Sequence, residues 1–306
     1  MNFWIIRRKE TFKYLFVIAI TLASVLVMSV LVFQNRDVLR SIRSQVQIFP
    51  LLLTLPTFLI SALLTGFVWG KIVNSLGVNI PLHKHILIYL ATSFWGRLPG
   101  GLWHVIGRVA MYERMGVLKR ITTVASLLQW FLIIYSGILT TLLLLPFVYN
   151  VTKYVLFYFL IIFLIGGVLL NPRIFMVVLR KFLKTPSVYE VSFFDLIEWL
   201  ICYIIIWMFG GLLLHLVLYS FSIQSLFLPF SIVAWSIGNV SGTIITFLPT
   251  GFGITEAITS VLLALQIPSS LGVLSSILLR ILLTIYDFIF SILSFLIIRI
   301  MRFPVL

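Results

Sequence analysis

Acidic side chains are scarce in this chain: 8 Asp and Glu stand against 22 Lys and Arg in 306 residues. Charged residues make up only 10% of the total, where soluble globular chains carry about 25%. No polar stretch is long enough to fold alone in water, so a separate soluble domain is excluded and residues 1–306 read as one membrane domain. There is 1 cysteine, Cys202, which rules out an intrachain disulfide and a cysteine-cluster metal site. The 4 histidines, His83, His85, His104 and His215, fall into no HExxH or other close metal-binding spacing. Gly251-x-Gly253 lacks the third glycine and the strand context of a dinucleotide loop, and no GxSxG elbow occurs. No cofactor and no catalytic residue is therefore assigned.

What the chain has in abundance is apolar sequence. Hydrophobic residues make up 61% and the mean hydropathy is +1.19. Several runs reach the roughly 20 residues needed to cross a bilayer. The net charge of +14 fits membrane topology better than nucleic-acid binding, because Lys and Arg gather on the cytoplasmic side of such proteins and no basic patch sits on a soluble fold.

Two interruptions organise the apolar sequence. The first reads Phe94-Trp95-Gly96-Arg97-Leu98-Pro99-Gly100-Gly101-Leu102-Trp103, and the second Phe247-Leu248-Pro249-Thr250-Gly251-Phe252-Gly253-Ile254-Thr255-Glu256. Their Leu-Pro pairs lie 150 residues apart (98 to 248). The flanking stretches His85–Trp95, Leu102–Met111 and Ile254–Gln266 are too short to span. Each interruption is read as the tip of a re-entrant hairpin, the second arriving through Leu226–Phe247. Full spans are expected at Tyr14–Phe33, Ile48–Trp69, Ile121–Phe147, Val151–Leu170, Phe193–Phe221 and Gly272–Ile298. Pro146 and Asn150 mark a turn, and Ser192 and Asp195 an N-cap with a first-turn acid.

The resulting fold class is an all-α polytopic membrane protein of about six full transmembrane helices plus two re-entrant hairpins in an inverted repeat. Repeat 1 covers about residues 14–147 and repeat 2 about 151–298. With both termini cytoplasmic, the inner edges collect Arg7, Arg8, Lys9, the Arg114–Arg120 and Arg173–Lys184 segments, Arg299 and Arg302, as the positive-inside rule requires. Arg36, Arg40 and Arg43 fall on the outer side, against the rule. The expected location is the cytoplasmic membrane.

The candidate site follows from the tips. Non-helical backbone at membrane depth must line a cavity or be covered by protein. Glycines allow close approach, and helix N-termini attract anions. The candidate lipid- or anion-binding residues are Arg97, Pro99, Gly100, Gly101, Arg108, Pro249, Gly251, Gly253, Glu256 and Arg280. Arg97 reads equally as a phosphate ligand or as an interfacial side chain. Arg108, two to three turns beyond the tip, reads as interfacial. Arg280 lies inside the last span and needs a counter-charge or an anionic ligand. Glu256 is a candidate partner and also a first-turn acid for its helix. Asp287 is two turns from Arg280, about 10 Å along the helix, too far for a direct pair. Asp195 and Glu198, spaced i,i+3, read as helix-start acids rather than catalytic carboxylates.

These motifs resemble the membrane domain of the lysylphosphatidylglycerol synthase, or flippase-like, family. The matching residues are Arg97-Leu98-Pro99-Gly100-Gly101 through His104, Gly107-Arg108 and Arg114-Met115-Gly116, then Leu248-Pro249-Thr250-Gly251-Phe252-Gly253-Ile254-Thr255-Glu256-Ala257 with Arg280. Thr250 stands where a further glycine is common, and Thr255 where a basic residue often precedes the glutamate. The resemblance implies a polytopic inner-membrane protein that moves or presents polar lipids. The soluble aminoacyl-transfer domain of some members is not expected, since the sequence stops at Leu306, directly after the last span.

The expected function is a lipid translocase, or a transport-like protein that binds a phospholipid or polyprenyl-phosphate lipid. The alternative is an intramembrane enzyme or accessory of envelope glycan or glycolipid assembly acting on lipid phosphates. A glycosyltransferase partner or a homo-oligomer fits either reading, and no nucleic-acid partner is expected.

Overall fold

The computed structural model describes residues 46–97, 102–148, 191–223, 227–245, 251–301 and 303, with single positions at 33, 157, 161, 166 and 167. The described residues form an all-helical bundle without strands. The expected spans Tyr14–Phe33 and Val151–Leu170 lie outside them almost entirely, as do the termini that would test orientation.

Among the described residues four helices are long and apolar enough to cross a membrane: α1 (Ile48–Ser75), α4 (Lys119–Val148), α5 (Phe193–Ser220) and α8 (Ser269–Ile300). Their 28 to 32 residues rise about 42–48 Å at 1.5 Å per residue, more than a ~30 Å hydrocarbon core. They coincide with four of the expected spans; three extend them by a few residues, and α5 ends one residue before the expected Phe221. Pro146 is not a turn but sits inside α4, which runs on to Val148; near a helix end, proline's missing N–H removes only one helical bond.

The remaining helices are short. α2 (Leu82–Ser93) and α3 (Trp103–Arg114) have 12 residues each, with a 3-10 turn at Phe94–Arg97 after α2. α6 (Leu228–Ile245) has 18 and α7 (Gly251–Leu263) has 13. The 3-10 turn and residues 98–102 separate α2 from α3, and residues 246–250 separate α6 from α7. Residues 98–101 and 246–250 lie outside the described set, so Pro99, Gly100, Gly101 and Pro249 receive no structural account.

Packing divides the bundle into two apolar cores. One joins the C-terminal part of α1, α2, the end of α3, much of α4 and the start of α5, through Trp69, Ile88, Tyr112, Leu132 and Trp199. The other joins the C-terminal part of α5, the start of α6, the end of α7 and the first half of α8, through Leu214, Phe230, Leu263 and Leu279. α1 packs along α5, α4 against α6, and α2 against α8. The last two contacts exchange if the first four helices are matched with the last four in order. The backbone of Gln47, just before α1, donates to the carbonyl of Ser220 at the end of α5 at 2.8 Å, so these two run antiparallel.

Local chemistry explains the helix starts. Ser192 caps α5 with a reciprocal box: Asp195 N–H donates to Ser192 Oγ at 3.1 Å and Ser192 N–H to Asp195 Oδ2 at 2.9 Å. This is the cap expected from the sequence. Glu198 instead reaches Lys71 of α1 at 3.3 Å on an exposed face. At Gly211 a Cβ would strike the Ile232 backbone, so α5 and α6 approach as only glycine permits.

Candidate functional site

A cavity of about 410 Å³ lies between the two cores. Its walls come from the middle turns of all four long helices: Ser61 and Thr65 of α1, Gln129 of α4, Tyr203 of α5 and Asp287 of α8. The short helices close it with Arg97, Arg108 and Asn239. Arg97, Asn239 and Arg280 also line a smaller cavity of about 20 Å³ that reaches Glu256. The described flanks of the two Leu-Pro-Gly motifs therefore meet at one place.

Arg97 closes the 3-10 turn after α2. Its Nε and Nη2 both donate to Asp287 Oδ2 at 2.6 Å, linking the first motif to the middle of α8. Asp287 was legible in the sequence as a deep carboxylate, and its partner proves to be Arg97 rather than Arg280. The i,i+7 spacing fixed only its face on α8; the partner lies 190 residues away.

Glu256 makes two different contacts. Oε2 accepts the backbone N–H of Gly253 at 2.9 Å, as the third-residue glutamate of a capping box does. Oε1 lies 3.4 Å from Arg280 Nη1. Both roles weighed for Glu256 in the sequence are thus filled by one carboxylate. Gly253 has φ +95°, a conformation open to glycine at little cost; this explains its place at the true start of the α7 helical geometry. Gly251 begins the helix as assigned.

Arg108, expected at an interface, is instead buried within the helical bundle. It is 3% exposed, because Gly107 lets α3 close on the Trp95 ring and carries its neighbour inward. Arg108 Nε donates to Thr92 Oγ1 at 3.1 Å and Nη1 to Gln129 Oε1 at 2.9 Å. Its guanidinium lies over Tyr89 at 4.0 Å and Trp69 at 4.9 Å from the ring centres, in the range of cation–π attraction. Among the described residues it has no carboxylate within ion-pair distance. Trp69 is itself fixed by donating Nε1–H to Tyr112 OH at 3.0 Å, and Tyr112 bonds to His85.

Gln129 and Tyr203 were missed in the sequence. Both are buried and line the cavity facing each other, and neither the Gln129 Nε2 nor the Tyr203 hydroxyl has another hydrogen-bond partner among the described residues. The available signal was Gln129 itself, a lone amide in the run Leu127-Leu128-Gln129-Trp130-Phe131, since polar side chains inside membrane helices mark functional cavities. No group of three or more metal-ligating side chains occurs among the described residues.

The arrangement suits an anion better than proton transfer. Glu256 and Asp287 are both engaged by arginines, and Glu256 also by a backbone N–H. Guanidinium, amide and hydroxyl groups around a void can hold an oxyanion. Fold and site define the class: a helical membrane protein with a cationic cavity among its longest helices. Comparisons with protein-family models and with curated proteins return no match for the chain.

Proposed function

We propose that this protein is a lipid translocase, or a transport-like binder of polar lipids, of the cytoplasmic membrane. The observation that carries the reading is the position of the cavity. Its lining falls at the middle turns of α1, α4, α5 and α8, and a bilayer crossed by those helices would place it near the midplane. A headgroup held there lies halfway between two leaflets, with acyl chains left in the hydrocarbon.

The resemblance to the flippase-like membrane domain points the same way. In this proposal α2–α3 and α6–α7 are re-entrant hairpins of an inverted repeat, with both termini cytoplasmic. Support comes from the packing: Tyr112 near the end of α3 bonds back to His85 in the first turn of α2, and the start of α6 and the end of α7 share one core. Rocking of one repeat against the other would expose the cavity to each side in turn. The enzymatic alternative needs a basic carboxylate, and both deep ones are held by arginines.

Reconstitution into liposomes with labelled phospholipids and polyprenyl phosphates tests the proposal. Wild-type protein is expected to move at least one of them between leaflets. Failure to move any lipid, under ion gradients or potentials of either sign, removes the translocase reading.

A further inference from the structure

Resting on the reading of the cavity as a lipid site, we infer that Arg108 is the seat of a lipid phosphodiester carrying a single negative charge. The argument begins with charge. Three arginines, Arg97, Arg108 and Arg280, line the main cavity. Asp287 answers Arg97 and Glu256 answers Arg280. Among the described residues one positive charge is left over, and it belongs to the most buried guanidinium of the three, Arg108.

A bare charge in a low-dielectric interior is costly. Thr92, Gln129 and the two aromatic rings orient Arg108 but carry no charge to neutralise it. Its hydrogen bonds to described residues leave from Nε and Nη1 only, so two of five N–H donors are used. Beside it, the Gln129 Nε2 and the Tyr203 hydroxyl are buried, line the cavity and face each other, with no other hydrogen-bond partner among the described residues. An oxyanion between them would take bonds from three groups on three helices, α3, α4 and α5.

The leftover charge also selects among lipids. A phosphodiester brings one negative charge and leaves the cavity neutral. A phosphomonoester, with its second pKa near about 6, is mostly dianionic above neutrality and would leave a buried negative charge. A headgroup of zero net charge would leave the positive one.

The test uses the detergent-purified full chain and reads bound lipid by native mass spectrometry. The probes are dioleoylphosphatidylglycerol, dioleoylphosphatidic acid at about pH 8, dioleoylphosphatidylcholine and the soluble headgroup glycerophosphoglycerol. Wild type should retain phosphatidylglycerol about tenfold better than the other two lipids. Arg108→Gln should erase that preference and Arg108→Lys should keep most of it. Asp287→Asn frees the charge of Arg97, raises the cavity to two positive charges and should shift the preference toward phosphatidic acid.

The soluble headgroup should compete only in large excess. Competition at equal concentration would overturn the assignment to a lipid. An Arg108→Gln protein that keeps the wild-type preference, or an Asp287→Asn protein with unchanged preference, overturns the seat itself. Selective binding without movement in liposomes removes the translocase reading and leaves the seat standing. Movement without charge preference does the reverse.

Discussion

In each half of the bundle a short helix meets the long helix that follows it, through a pair of polar side chains, and the two pairs differ in charge. Arg108, the sixth residue of α3, bonds to Gln129, the eleventh of α4. Glu256, the sixth residue of α7, pairs with Arg280, the twelfth of α8. The geometry recurs while the charge pattern does not. In the second half the arginine is on the long helix and has a carboxylate. In the first it is on the short helix and has an amide. Among the described residues the cavity's unbalanced charge therefore belongs to Arg108 of the first half, whereas the matching pair of the second half, Glu256 with Arg280, is balanced.

The largest expected effect separates the two arginines. Arg280→Gln strands Glu256, 4% exposed, without its cation. Removing one partner of a buried pair costs about 3 kcal/mol or more, and the thermal midpoint in detergent should fall by several degrees. Arg108→Gln strands no charge, and its loss should change the ligand-free midpoint by less than about 1 kcal/mol equivalent, because the uncompensated charge goes with it. Equal losses in the two variants would break the comparison.

Next in size is Glu256→Gln, which makes the second half resemble the first. An amide oxygen can still accept from Gly253 N–H, so the helix start survives while the counter-charge goes. About 1–2 kcal/mol of destabilisation is expected, less than for Arg280→Gln because the guanidinium left behind is 20% exposed against 5% for the carboxylate, with Glu256→Ala worse than Glu256→Gln because the cap is lost as well. If both substitutions cost the same, the bond to Gly253 contributes nothing. Gly253→Ala belongs to the same range, about 1–2 kcal/mol, since φ +95° is strained for any residue with a Cβ; unchanged stability there would remove the helix-start argument for α7.

How much of this was legible beforehand depends on the range of the interaction. The four long helices follow from hydropathy alone, because an uncharged run such as Leu200–Phe209 has no other home. The Ser192–Asp195 cap and the Glu256 double role are within reach of spacing, since their partners sit three residues away or one short helix on. Arg97–Asp287 is not, because 190 residues separate its members and only the packing of α2 on α8 brings them together. Arg108 shows the opposite failure: local spacing placed it at an interface, and the small residue before it, Gly107, let the helix close inward. Gln129 and Tyr203 carry no motif at all. They matter only because the fold turns their polar ends into the same void.

The smallest expected effect concerns the first long helix of each half. α5 begins with the full Ser192–Asp195 box, whereas Gln47 before α1 makes no side-chain cap. Four N–H groups at a helix start lack helical partners, and a serine cap with its box satisfies two of them. Ser192→Ala should therefore cost about 1 kcal/mol and speed amide exchange in the first turn of α5, leaving the cavity and lipid retention untouched. Gln47→Ser should slow exchange at the start of α1, since its backbone is already extended at φ −83°, ψ 117°, the conformation a capping residue adopts. The gain should be a few tenths of a kcal/mol, because that substitution also gives up the 3.4 Å bond from Gln47 Nε2 to Ser222. If Ser192→Ala altered lipid retention as well as exchange, the start of α5 would be coupled to the cavity, and the separation drawn between helix-end chemistry and the arginine cluster would fail.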